Sequence, residues 1–144
     1  MRVVLPPSLS LDPLVALFAA EPGVVAVWLF GSRARGDHRA DSDVDVAVLA
    51  EDAGTENPLR RRFRWKVAAA DALGVPDEAV DLVVLPEAPA LLTHGILMEG
   101  RLLLDRDPDT RIEFQVRALH RAVEARHLRE IAMRERARRY GVEP

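Results

Sequence analysis

The sequence predicts an α/β (α+β) domain: a small mixed sheet flanked by helices and followed by a long C-terminal helix. Three observations carry this. Apolar runs at 24–30 and 79–85, and a third run at 43–49 that opens with two acids, have the length and composition of strands. Between the second and third, apolar residues over 59–73 recur at helical spacing, and from 107 to 140 a second helical pattern runs on. With 144 residues, 49% hydrophobic and 30% charged, the chain has material for one domain with its own core, taken as 1–144.

The elements follow in order. Asp12-Pro13 marks a helix start, with Asp12 as N-cap and Pro13 at the first helical position, where its missing N–H costs nothing. Leu14, Leu17 and Phe18 make the buried side, and Glu21-Pro22-Gly23 ends the helix. The run 24–30 reads as a buried strand that stops at Gly31. Gly31 and Ser32 are then expected to form a tight turn with exposed backbone donors, followed by a helical turn over 33–39. In the strand 43–49 the two-residue period places Asp43 and Asp45 on one face and Val44, Val46 and Val48 on the other.

After an irregular polar stretch at 51–58, a helix with Leu59, Phe63, Val67, Ala70 and Leu73 toward the sheet is expected, stopped by Gly74. Its other face carries Arg60, Arg61, Arg62, Arg64 and Lys66, either as a solvated surface or as a docking surface for an acidic partner or a nucleotide phosphate. The strand 79–85 holds a single charged residue, Asp81. A short helix at 90–98 and a last strand at 101–104 follow. Asp107-Pro108 caps the final helix, whose stripe of Ile112, Val116, Leu119, Val123 and Ile131 is apolar. At ~1.5 Å per residue this helix is a rod of roughly 45 Å. That exceeds what the domain's own core requires, so its later half, 126–140, is expected to project or to meet another chain.

The chemistry concentrates near Gly31. A glycine lets backbone approach an anion, successive N–H groups in one concavity favour it, and Arg35 adds a forked cation nearby. Two carboxylates side by side repel unless a cation lies between them, and hard oxygen ligands of this kind suit Mg²⁺, which completes its shell with water and substrate phosphate. Together these features describe a site for a nucleoside triphosphate with Mg²⁺. A surface turn followed by an acidic edge strand is the alternative, and it leaves the pairing of Asp43 with Asp45 unexplained. Asp81, inside an apolar strand, would be costly to bury without a partner and is the candidate third acid; the alternative is a strand-start aspartate open to solvent.

The order Gly-Ser, then acid-x-acid on a strand, resembles the polymerase-beta-like nucleotidyltransferase superfamily. More narrowly, Gly31-Ser32-Arg33-Ala34-Arg35-Gly36 with Ser42-Asp43-Val44-Asp45 is similar to the minimal nucleotidyltransferases, the antitoxin halves of toxin–antitoxin pairs with HEPN-type toxins. The resemblance covers roughly residues 24 to 104. It implies the polymerase-beta-like fold, one or two Mg²⁺ ions on Asp43, Asp45 and Asp81, and a nucleotide on Gly31, Ser32, Arg35, Gly36 and Ser42. It also implies ATP as donor and a tyrosine hydroxyl of a HEPN-type toxin as acceptor. A nucleotidyltransferase for a small molecule such as an aminoglycoside, or an antitoxin acting by occlusion alone, are the rival functions.

Composition narrows the partners. A net charge of −3 gives no overall attraction to nucleic acid, so a nucleic-acid substrate is not expected. No run approaches the roughly 20 apolar residues of a membrane span. Pro6, Pro7 and Asp12 interrupt any signal-peptide core after Arg2, and the absence of cysteine accords with the cytoplasm as the expected location. The apolar stripe on the last helix is expected to meet a separate helical toxin; self-association as a homodimer is the alternative.

Overall fold

The structure, a computed structural model, describes residues 9–51 and 54–142. The N-terminal run through Ser8, on which the argument about secretion rests in part, lies outside them. In chain order the elements are α1 (Asp12–Ala19), β1 (Val24–Phe30), α2 (Gly31–Arg35), β2 (Val44–Ala50) and α3 (Pro58–Leu73). A 3₁₀ turn (Asp77–Ala79) leads to β3 (Val80–Leu85), α4 (Ala90–Glu99), β4 (Arg101–Asp105) and α5 (Pro108–Arg139). The strands form one mixed sheet in the order β3-β2-β1-β4. β1 runs antiparallel to both β2 and β4, while β2 and β3 are parallel.

The two central strands are apolar on both faces because both are covered. Val44, Val46 and Val48 of β2 join Leu14 and Phe18 of α1 and Trp65, Ala69 and Ala70 of α3 on one side. Ala47 and Leu49 join Trp28, Ile96 of α4 and Phe114 and Ala118 of α5 on the other. This alternation places each side chain of β2 by its parity alone, and it therefore decides which face any acid on that strand must take.

Three local expectations need correction. Leu11, in helical conformation, is the N-cap of α1, and Asp12 is already helical with no side-chain cap formed. The helical turn after β1 begins at Gly31 and not at Arg33, and it ends at Gly36, whose φ of 81° breaks it in the left-handed region. α3 is rotated: its buried residues are Arg61, Trp65, Ala69, Ala70 and Leu73, whereas Leu59 and Phe63 are 69% and 66% exposed. Trp65 sets that rotation. Its ring meets Phe18 edge to face with centroids 5.9 Å apart, and the Arg61 guanidinium stacks over it at 4.7 Å while donating to the Glu51 carbonyl at 3.0 Å.

Phe114, Ala118 and Ala122, spaced four apart, face the domain, and the small residues allow close approach to α4. Ile112, Val116, Leu119, Val123 and Ile131, expected as one stripe, are all 48% exposed or more. Beyond Ala122 no residue of α5 is buried, so the later half of this 32-residue helix projects as its length suggested.

Candidate functional site

The strand register lines up three groups in a row across one end of the sheet. Phe30, the last residue of β1, lies opposite Asp45, and Asp45 lies opposite Asp81. Neighbouring strands are about 4.8 Å apart, so the backbones of Asp45 and Asp81 are immediate neighbours. Parity puts Asp45 with Ala47 and Leu49, and Asp81 with Val83 and Leu85, on the face covered by α4 and α5. Asp43 shares that parity but stands one residue ahead of β2, in exposed chain. Asp81 is exposed as well, because β3 is an edge strand. The burial cost that singled it out in the sequence is therefore absent; what associates it with Asp45 is register.

Gly31 is required where it stands. Its φ is +71°, and a Cβ added there would collide with the Asp45 carboxylate. Backbone and acid thus touch at the point where β1 turns into α2, and no other residue type preserves that contact. Asp45 is partly buried, and its carboxyl is pushed up to about 6, first by burial and then by the charges of Asp81 and Asp43, with Arg35 and Arg33 pulling the other way. The three acids and two arginines therefore share one electrostatic environment.

The loop between α2 and β2 is fastened from both sides. Arg33 donates from Nε (3.2 Å) and Nη2 (3.1 Å) to the Ser42 carbonyl, and the Ser42 hydroxyl accepts the Arg39 N–H at 2.8 Å. Arg33 was missed in the sequence, since its acceptor is a main-chain oxygen nine residues on that no pattern of side chains reveals. Arg35 is half-exposed, bonded to Asp37 at 3.3 Å, and borders a cleft of about 230 Å³ formed with Gly31, Leu91, Leu92, Ile96 and Glu99 between α2 and α4. Of the expected site residues, Gly31 abuts the Asp45 carboxylate, and Asp43 and Asp81 lie within electrostatic reach of it. Ser32 follows Gly31 in the first turn of α2, Arg35 lies within electrostatic reach as well, and Gly36 and Ser42 shape the loop that carries Asp43.

Among the described residues no three His, Cys, Asp or Glu side chains form a group able to hold a metal ion by themselves. The acids fit a cation that takes one or two protein carboxylates and fills the remaining positions with water and phosphate oxygens, as magnesium does. The mutual repulsion that lifts Asp45 is the property a bound divalent cation would relieve. No described helix is long and apolar enough to cross a membrane.

Residues 13–109 match the family described as Polymerase beta, Nucleotidyltransferase. The chain is 34% identical over 88 residues to protein adenylyltransferase MntA of Shewanella oneidensis, a stretch covering 61% of this chain and 59% of that protein. Among solved structures it superposes on a toxin–antitoxin crystal structure with AMP-PNP at a TM-score of 0.73 and 26% identity, covering 88% of this chain and 98% of the other. It also superposes on a complex of tri-AMPylated Shewanella oneidensis HEPN toxin with MNT antitoxin, at a TM-score of 0.61 and 25% identity, covering 80% and 84%.

Proposed function

The chain belongs to the polymerase beta nucleotidyltransferase family, and from that premise we propose that it transfers AMP from ATP to a tyrosine hydroxyl of a HEPN-type toxin in the cytoplasm, neutralising it as its antitoxin. The observation that carries this reading is the row Gly31, Asp45, Asp81: a glycine that admits an anion, then two acids in register, in a chain similar to an adenylyltransferase and to antitoxins complexed with such toxins. Residues 1–144 act as one nucleotidyltransferase unit, with the projecting half of α5 available to the toxin.

Each group has a role that follows from its position. Gly31 makes room for the Asp45 carboxylate at the start of α2, where the triphosphate would lie and Ser32 adds a hydroxyl. Arg35 supplies a forked cation to the phosphate oxygens. Gly36 turns the chain, and Ser42, held by Arg33, fixes the loop so that Asp43 stays beside Asp45. Asp43 and Asp45, with Asp81 beside them, would hold Mg²⁺, which when bound neutralises phosphate charge and stabilises the entering and leaving oxygens of an in-line displacement. Asp81, exposed at the edge, accepts the proton of the attacking hydroxyl. The acceptor oxygen bonds to the α-phosphorus, the bond to the pyrophosphate oxygen breaks, and pyrophosphate leaves with the electron pair.

Pyrophosphate release tests the reading. In the presence of ATP and Mg²⁺, release should be slow for the protein alone and should rise when a HEPN-type toxin encoded beside it is added. Tight binding of that toxin without pyrophosphate release would leave occlusion as the function; release prompted by an aminoglycoside and not by the toxin would establish a small-molecule acceptor.

A further inference from the structure

Beyond Asp81, at the outer edge of the sheet, lies a second concavity that the nucleotide does not need. Leu59, Arg62, Phe63 and Lys66 of α3 line a groove of about 360 Å³ with Asp81 and Leu82 of β3. The floor is apolar: Leu59 and Phe63, one helical turn apart, are the most exposed large apolar residues of α3 and are uncovered among the described residues. The rim is cationic. Arg61 and Arg64 are engaged inside the domain, the first with Trp65 and the Glu51 carbonyl, the second with Glu21 and Glu56. Arg62 and Lys66, again one turn apart, form no salt bridge among the described residues.

Strand order decides what such a groove receives. Gly31, Asp45 and Asp81 lie in sequence across the sheet, with the α2–α4 cleft bordering Gly31 and the α3 groove bordering Asp81 and Leu82 at edge strand β3. In an in-line displacement the attacking oxygen and the leaving pyrophosphate lie on opposite sides of the phosphorus. With the triphosphate on Gly31 and Arg35, the acceptor has to arrive from the Asp81 side. We propose that the α3 groove is the acceptor seat and that it selects a tyrosine of the partner protein lying in an acidic segment.

The proposal rests on the nucleotidyl-transfer reading and adds to it where the acceptor binds and what distinguishes it. The tyrosine ring packs on Phe63 and Leu59, whose exposed faces accept an aromatic group. Arg62 and Lys66 face the acidic residues flanking it, an arrangement that favours this partner and disfavours a basic one. The phenolic oxygen is delivered to Asp81, which takes its proton as the bond to the α-phosphorus forms and pyrophosphate departs.

Two synthetic peptides test this, one with tyrosine between aspartates and one with tyrosine between lysines. Transfer from α-labelled ATP with Mg²⁺ is followed for the wild type, for Phe63→Ala and for the double variant R62E/K66E, with ATP affinity by calorimetry and folding by thermal melting. The wild type should label the acidic peptide with the lower KM, and both variants should raise that KM by about tenfold or more, equivalent to a lost contact of about 1.4 kcal/mol. ATP affinity and melting temperature should stay unchanged. Folded variants with wild-type KM overturn the seat, and so does a fall in their ATP affinity, which would give the groove to the nucleotide. A wild type that binds ATP and labels neither peptide overturns the seat alone; one that fails to bind ATP removes the transfer reading with it.

Discussion

The two ends of strand β2 differ in every physical respect. From Val46 to Leu49 each side chain is buried, alternately against α1 and α3 and against α4 and α5. At the other end, Asp45 is only partly buried, lies against a glycine of positive φ, and is lifted to about 6 by burial and by two acidic neighbours. One end lowers the free energy of the fold, and the other raises it in order to hold charge together. The difference teaches that stability and activity are separable along one strand, so that mutations at the two ends should have opposite signatures.

The largest effect expected is at the acid end. Asp45→Asn, or Asp43→Asn, should reduce transfer to background while the protein still folds, because it removes a cation ligand from a pair that repels. A purified, Mg²⁺-supplied Asp45→Asn protein with near-normal transfer would break the comparison at its centre. At the apolar end, Trp65→Ala should lower stability by about 3–5 kcal/mol, as expected for a fully buried tryptophan, without changing turnover per folded molecule. Denaturant unfolding and active-site titration on the same samples separate the two quantities.

Smaller effects sharpen the contrast. Arg35→Ala should weaken ATP binding by about ten- to a hundredfold, corresponding to a charge-assisted contact of roughly 1.5–3 kcal/mol, with little change in melting temperature since its side chain is half-exposed. Calorimetric titration showing wild-type affinity would return Arg35 to the surface. The smallest effect is one of pH. Asp45 has a folded-state pKa of about 6 against 3.8 for a free aspartate side chain. As pH rises through this window the unfolded chain releases its proton first, so metal-free stability should fall between about 4 and 6 and level off above. With Asp45 partly exposed, that loss is on the order of 1–2 kcal/mol. Asp45→Asn should lack this slope, and Mg²⁺ should offset it at neutral pH; identical stability profiles for the two proteins without metal would contradict the assigned repulsion.

Much of this arrangement was legible in the residues. β1 matched its expected span because a continuous apolar run ending in glycine admits few readings, and the acid pair stood out because Asp43 and Asp45 share a parity that no solvent-facing argument explained. Asp81 came for a reason that did not hold, since it is exposed; the parallel register between β2 and β3, which associates it with Asp45, is a long-range property that one strand does not encode. The rotation of α3 was illegible because Leu59 and Phe63 fit the helical period as well as Trp65 does, and only the partner ring of Phe18 decides between them. On α5 the exposed stripe was legible, but the inward face was not: Ala118 and Ala122 are too small to stand out in a hydrophobic pattern, although with Phe114 they form the contact with the domain. Arg33, whose target is a carbonyl, left no trace in the pattern at all.

The central claim is that the acid end of the sheet moves AMP onto a tyrosine of a helical toxin. Intact mass measurement of that toxin after incubation with this protein, ATP and Mg²⁺, followed by peptide mapping, tests it most directly. The account predicts a gain of one or more AMP units on a tyrosine, absent with Asp45→Asn and absent when that tyrosine is phenylalanine. An unchanged toxin mass under conditions where the two proteins form a stable complex would contradict it.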